Sequence, residues 1–169
     1  FVGTSLYAGS LWWCWDAFPV LWIPETNYLA QFALIGLYWL TASLAMGVAI
    51  GIFAVCIKKI KKYSIVFFIF VPILWLCSQT LASFFFSIYS LGPANTPGVE
   101  FGFGYIGYLL AQSKYFVSFA QFFGVYGLTY IGILLATLLS VYFDKKLFKK
   151  KIPTFLFLSC IAFLFTVCY

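Results

Sequence analysis

Four long stretches of this chain carry no charged residue: Asn27 to Ile57, Tyr63 to Ser90, Val117 to Phe143 and Ile152 to Tyr169. A helix needs roughly 20 mostly apolar residues to cross about 30 Å of hydrocarbon, and each stretch meets or nearly meets that length. A fifth, Phe1 to Trp15, falls short by about one helical turn and reads as a span cut at its start. A signal peptide is the competing reading of that segment, but the basic n-region of such peptides is missing. Composition agrees: 64% of the residues are hydrophobic and 8% charged, with mean hydropathy +1.04. Soluble domains run near half apolar and a quarter charged. A chain this long buries only about 70% of its unfolded surface, so a core cannot absorb the excess. The expected fold is all-α: a polytopic transmembrane bundle of about five spans plus one outer interfacial or re-entrant segment. Residues 1–169 are expected to form one integral-membrane domain. Residue 1 is Phe and the only methionine is Met46, so the expectation is a fragment, truncated at both ends.

Charge placement predicts the orientation. Nine of the ten basic residues, all lysine, fall in two clusters: Lys58, Lys59, Lys61 and Lys62, then Lys145, Lys146, Lys149, Lys150 and Lys151. Excess lysine and arginine mark cytoplasmic loops. Both clusters are therefore placed inside, with an even number of crossings between them. Tyr63–Ser90 and Val117–Phe143 supply two. The uncharged run Phe101 to Ser113 is then expected to stay on the outer side, too short to cross. Asp16, Glu25, Glu100 and Lys114 fall outside on this reading, and Asp144 inside. The pI near 9.1 does not point to nucleic acid. Such a surface needs basic groups gathered on a folded face, and here they are short clusters abutting apolar spans. Contact with anionic headgroups is the alternative use.

Breakers and small residues suggest the packing. Pro19 and Pro24 bracket the first outer loop, and Leu91-Gly92-Pro93-Ala94-Asn95-Thr96-Pro97-Gly98 opens the second, where Pro and Gly force turns. Trp12, Trp13, Trp15 and Trp22 cluster near the first loop, as an interfacial aromatic belt would. A cation-binding cage would also use tryptophans. Ser43, Gly47 and Gly51 recur every four positions, as do Gly132, Ala136 and Ser140. Such stripes let helix backbones approach closely, within a bundle or across a homodimer.

Little catalytic chemistry is on offer. With no histidine or arginine, a Ser-His-Asp triad, histidine metal sites and arginine clamps are excluded. No metal site and no cofactor is expected. Gly102, Gly104 and Gly107 spell G-x-G-x-x-G, but that fingerprint works only between a strand and a helix in a βαβ unit. Turns or close packing explain these glycines better. Cys14, Cys56, Cys77, Cys160 and Cys168 form no C-x-x-C and sit among apolar residues, without the polar or cationic neighbours that activate a thiolate. Cys14 alone is a candidate for oxidation. No carboxylate lies inside a span, whereas an intramembrane ionisable group usually marks an ion path. Gln79, Gln112 and Gln121 are the notable polar residues near the membrane, with interhelical hydrogen bonding their expected role.

From Phe101 to Thr137 the chain reads FGFGYIGYLLAQSKYFVSFAQFFGVYGLTYIGILLAT. Gly107 and Tyr108, then Ala120 and Gln121, then Gly124-Val125-Tyr126-Gly127-Leu128-Thr129-Tyr130 stand in a fixed order. This stretch resembles the membrane region of bacterial apolipoprotein N-acyltransferases. There an aromatic-glycine segment ending in Gly-Tyr precedes an Ala-Gln step and a Gly-Val-Tyr-Gly-Leu-Ser-Phe-like helix start. Pro72-Ile73-Leu74-Trp75 resembles the family's Pro-x-x-Trp helix, and Gly9 with Trp12 and Trp13 its early membrane helices. The chain departs from the pattern at Gln79 and Ala82, where the family commonly has Glu and Arg. It also has Ala136 or Thr137 in place of a late Asn.

The resemblance implies the membrane-embedded part of an enzyme that moves an acyl chain from phospholipid to the N-terminal diacylglyceryl-cysteine of lipoproteins. It implies a multi-pass protein of the bacterial inner membrane, with the Lys58–Lys62 and Lys145–Lys151 loops cytoplasmic. The implied partners are membrane phospholipid, lipoprotein substrates and a nitrilase-like domain of the same full-length chain. That domain carries the family's Glu-Lys-Cys centre, so no catalytic residue is assigned here. Gly107, Tyr108, Gln121, Gly124, Tyr126, Gly127, Pro72 and Trp75 are the family-motif positions, with Phe101–Gln121 as a lipid-facing floor. A non-catalytic membrane protein, either a transporter fragment or a structural subunit, is the alternative.

Overall fold

A computed structural model describes residues 1–20, 27–60, 65–90, 98 and 102–143. These residues form α-helices and one 3-10 helix, with no strand among them. Helix α1 is Val2–Ser10, followed by the 3-10 helix Trp12–Ala17. The remaining helices are α2 (Tyr28–Lys59), α3 (Ile65–Ser90), α4 (Ile106–Leu110) and α5 (Lys114–Phe143). Helices α2, α3 and α5 are long and apolar enough to cross a membrane, which makes this a membrane-embedded helical protein. Five spans were expected, and three helices among the described residues have the length. Phe1 to Trp15 is not one continuous helix. Leu11, at φ −97° and ψ 13°, ends α1 after 9 residues, about 14 Å of helix against a hydrocarbon core of about 30 Å. Among the described residues between α3 and α5 the one helix is the 5-residue α4, far too short to cross. The expected span Ile152–Tyr169 lies outside the described residues, as do Lys145–Lys151, Lys61, Lys62, Trp22, Pro24, Glu25, Glu100, Asp144, Cys160, Cys168 and the run 91–97.

Local chemistry explains the helix ends. The Asn27 side-chain oxygen accepts from the Leu29 N–H at 3.2 Å, and its carbonyl accepts from the Gln31 N–H. That is how a capping residue satisfies the free donors of a first turn. Lys58 and Lys59 occupy the last turn of α2, where a cation complements the partial negative charge of the helix end. Pro72 sits inside α3 without an N–H to give, so the Phe68 carbonyl loses its usual partner.

Helices α2 and α3 turn many large aliphatic side chains outward and bury several small or polar ones alongside apolar core residues such as Ile35, Phe67, Val71 and Phe86. Along α2 the outward positions include Leu37, Leu40, Leu44, Val48, Ile52 and Val55, while Ala42, Ser43, Met46 and Ala49 are buried. On α3 the buried residues include Ser78, Gln79, Ala82, Ser83 and Ser87, and Ile69, Phe70, Ile73 and Ile88 face out. Lipid tails solvate large aliphatic groups as well as a core does. Small and hydroxyl-bearing residues go inside instead, where they permit close approach and hydrogen bonds.

Two compact units emerge, Phe1–Val55 with Ser78–Gly104 and Cys56–Cys77 with Tyr105–Tyr169. In the first, α1 lies directly on α2. A Cβ on Gly3 would stand 2.7 Å from the Ile50 Cβ and 2.9 Å from the Gly47 carbonyl oxygen. One on Gly47 would stand 2.7 Å from Thr4 Oγ1 and 2.9 Å from the Thr4 backbone nitrogen. The Trp39 indole N–H donates to the Ala8 carbonyl at 2.9 Å, tying the end of α1 to α2. Further along, Tyr38 and Ser90 share a hydrogen bond of 2.9 Å, and Thr41 bonds Tyr89. In the second unit α4 packs on α5.

Of the small-residue stripe on α2, Gly47 therefore receives α1, Ser43 donates back to the Trp39 carbonyl at 2.7 Å, and Gly51 is open within 4 Å. Gly47→Ala should lower stability by about 1–3 kcal/mol, the usual cost of overpacking, while Gly51→Ala should leave it nearly unchanged. Reversible unfolding of the detergent-solubilised protein measures both.

Candidate functional site

Within the first unit, the turn 102–104 is held from both sides by side chains of the helical elements. The Phe103 ring stacks on Trp13 at 5.9 Å between centroids and meets Phe86 edge-on at 5.0 Å. Gly104 has φ +73°, and a Cβ there would approach Ser10 Oγ to 2.8 Å. Both conditions call for glycine. Behind the turn, Gln79, Ser83 and Ser87 follow one another at helical spacing on α3, all buried. The Gln79 amide donates to the Gly104 carbonyl at 3.1 Å, and Ser87 Oγ accepts from the Gly98 N–H at 2.8 Å. Ser83 Oγ returns its hydrogen to the Gln79 carbonyl at 3.1 Å. This polar edge of an otherwise apolar helix anchors backbone at both ends of residues 98–104.

Gln79 is 1% exposed, and its Oε1 has no hydrogen-bond partner among the described residues. Its role is played by the amide donor. An ionised carboxylate of the same shape could not donate to Gly104 and would be a buried charge, which is costly without a partner. Ala82, one turn on, is fully buried and offers no cation.

In the second unit, α4 rests on the middle of α5 through glycine. The Gly107 N–H donates to Thr129 Oγ1 at 3.0 Å, and Thr129 donates in turn to the Val125 carbonyl at 2.9 Å. A Cβ on Gly107 would overlap the Val125 carbonyl oxygen and stand 2.7 Å from Thr129 Oγ1. Gly132 faces the Ile106 and Leu110 side chains, each 3.2 Å from its Cβ position. Helix α5 breaks at Gly124, with φ 62° and ψ −172°, a region open to glycine and strained for other residues. At Gly127 a Cβ would overlap that of Phe123. The two glycines thus serve one kink: Gly124 turns the backbone, and Gly127 makes room for the ring-bearing residue that the turn brings over it. Tyr105 is buried and meets Tyr126 edge-on at 5.5 Å and Tyr108 at 6.2 Å. Tyr108 is 51% exposed.

The motif residues separate into two groups. Gly107 and Tyr126 meet in the α4–α5 junction, with Tyr108 on its outer side, while Gly124 and Gly127 form the kink of α5 beside it. Pro72 is buried and Trp75 half-buried on α3, while Gln121 is exposed on α5. Gln112 is exposed too, so of the three glutamines singled out in the sequence, Gln79 is the buried one. Ala136 faces outward, as does Ser140, and Gly132 of that stripe is the one pressed against α4. Trp12, Trp15, Trp39 and Phe32 form a packed ring cluster, with Trp12 and Trp13 still half or more exposed, as an interfacial belt requires. Cys14 is buried against this cluster's own 3-10 helix, a poor place for oxidation.

Sequence reasoning missed Gln31, which is buried on α2 and accepts from the Val20 N–H at 3.0 Å. It also missed Thr129 as the receptor of the Gly107 N–H. A lone hydroxyl inside an apolar run was the available signal.

The described residues contain no group of three His, Cys, Asp or Glu able to hold a metal. A groove of about 330 Å³ on the first unit is lined by Ala45, Val48, Phe85, Ile88 and Tyr89, and its surface is apolar. These arrangements can position backbone and hold apolar chains; no acid–base pair is assembled among them. The class this defines is a membrane-embedded helical protein with glycine-built, hydroxyl-anchored junctions. No protein-family model, curated protein or solved structure matches the chain.

Thr129→Ala should remove the acceptor for the Gly107 N–H, lowering stability by about 0.5–1.5 kcal/mol and speeding hydrogen exchange at that amide. Thr129→Ser should restore protection. Gln79→Glu should unfold at a lower temperature at pH 8 than at pH 5, because only the protonated acid can donate to Gly104. Thermal unfolding at the two pH values checks the sign.

Proposed function

We propose that this chain is the membrane-embedded part of an apolipoprotein N-acyltransferase, supporting acyl transfer from phospholipid to the N-terminal diacylglyceryl-cysteine of lipoproteins in the bacterial inner membrane. The observation that carries the reading is the α4–α5 junction. Gly107-Tyr108 and Gly124-Val125-Tyr126-Gly127-Leu128-Thr129-Tyr130, the blocks that resemble the family, are packed against each other through the Gly107–Thr129 hydrogen bond. Two of the blocks that resemble the family thus pack on each other, which supports the reading. In this reading the junction is a floor for lipid substrates, with exposed Tyr108 facing them and the nitrilase-like domain of the full-length chain supplying the chemistry. That enzyme splits one difficult transfer into two easier ones through a thioester on its cysteine. The Lys58–Lys62 and Lys145–Lys151 loops are cytoplasmic in this reading, by the bias of lysine toward that side.

The test is transfer by the full-length protein. Tyr108→Ala should lower turnover about tenfold, equivalent to about 1.4 kcal/mol of transition-state stabilisation, at normal expression. Unchanged turnover would remove Tyr108 from the site. A reading frame that continues into further membrane repeats, without a nitrilase-like segment, would overturn the whole proposal.

A further inference from the structure

Helix α5 is longer than a membrane crossing requires. Its 30 residues extend about 45 Å at 1.5 Å per residue, against about 30 Å of hydrocarbon. The part beyond the break at Gly124, residues 125–143, covers about 28 Å and is sufficient alone. The part before it, residues 114–123, is surplus. Gly124 joins the two with φ 62° and nothing within 4 Å of its Cβ position, so the break itself is not wedged against a neighbouring side chain.

The surface of this leading segment is unusual for any aqueous contact. Phe116 is its one deeply buried ring, at 4% exposure, while Tyr115, Val117, Phe119, Phe122 and Phe123 are all exposed, Phe122 to 82%. Aromatic rings with a polar edge collect at the headgroup level, as do lysines whose stems lie along apolar surface. The segment carries that mixture: Lys114, Tyr115, Ser118 and Gln121 among phenylalanines. The Lys114 ammonium lies 5.1 Å above the Tyr115 ring, a cation held beside aromatic groups at the segment's start. Its charge complements the phosphate of a phospholipid headgroup. Just past the break, Tyr126 of the spanning half is exposed as well.

We propose that residues 114–123 lie in the plane of the headgroup–acyl boundary, hinged at Gly124. Helix α5 then crosses the membrane only from Val125, and phospholipid is the partner of the leading segment. Phe119, Phe122 and Phe123 enter the upper acyl region, and Lys114 meets the phosphate. An interfacial element of this kind binds through buried apolar area together with attraction to lipid charge. It extends the interfacial stretch expected at Phe101–Ser113 by about three turns and shortens the span expected at Val117–Phe143. The inference is independent of the acyltransferase reading.

Nitroxide labels placed singly at Tyr115, Phe119 and Phe122, which share one face of the segment, test it, in a background with the five cysteines changed to alanine. The protein is reconstituted in phosphatidylcholine vesicles containing phosphatidylglycerol. Relative collision with oxygen and with a water-soluble nickel chelate reports depth. The expected result is one shallow depth for all three labels, and progressively greater depth for labels at Ile131 and Leu134. Depth rising by about 1.5 Å per residue from 115 to 122 would overturn the proposal, because the segment would then cross. Exclusion of both collision partners would overturn it too, showing protein rather than lipid as the cover. The unaltered chain offers a second measurement. Phospholipids with a diazirine near the ester carbonyl should label peptide 114–123 several-fold more than phospholipids with the diazirine at the chain end. The reverse preference, or labelling by neither, would overturn the proposal.

Discussion

In hydrocarbon no water replaces a lost backbone hydrogen bond, and every unsatisfied N–H or C=O costs several kcal/mol. That constraint orders the structure. It makes helix the form of the long apolar stretches, and it makes each departure from helix a place where another group must intervene. Among the described residues several of the departures have such a partner. Asn27 caps α2, Gln79 and Ser87 hold the ends of residues 98–104, and Thr129 receives Gly107. The hydroxyls and amides buried inside are therefore not scattered polarity. Several stand where the backbone leaves the helix, while Ser43, Ser83 and Thr137 return a hydrogen bond to their own helix.

Glycine does the complementary work. Gly3 and Gly47 bring α1 and α2 to backbone contact, Gly107 and Gly132 seat α4 on α5, and Gly124 with Gly127 builds the kink. Lipid provides little drive for large side chains to associate, so close approach and dispersion across it carry helix packing. One consequence is that two glycines four residues apart on the same helix can differ completely in importance. Gly47 touches α1 and Gly51 touches nothing within 4 Å.

Much of the secondary structure was legible in the chain. The expected spans Asn27–Ile57, Tyr63–Ser90 and Val117–Phe143 each correspond to a long helix within a few residues, because a run free of charge and longer than a bilayer leaves few alternatives. Phe1–Trp15 was less legible. Its apolar content suggests a span, yet it breaks into a short helix and a 3-10 turn, as aromatic residues there pack on Trp39 and Phe32. Hydropathy counts residues and cannot see a ring finding a partner. The G-x-G-x-x-G letters were rightly read as turn and packing: Gly104 takes a positive φ and Gly107 a close approach. Of the three noted glutamines, nothing in the letters distinguished buried Gln79 from exposed Gln112 and Gln121. Burial depends on which face a helix turns inward, and all three sit in similar apolar company.

Composition and charge spacing by themselves determined that this chain belongs in a membrane, that helix is its material, and roughly where each long helix lies. These are one-dimensional properties, because transfer free energy adds along a helix. Only the tertiary structure decided which small residues are contacts, that Thr129 is the acceptor for Gly107, and that α5 is two segments meeting at Gly124. Those depend on distances between residues far apart in the chain and on a backbone torsion that glycine permits without requiring. A sequence records the permission; packing decides whether it is used.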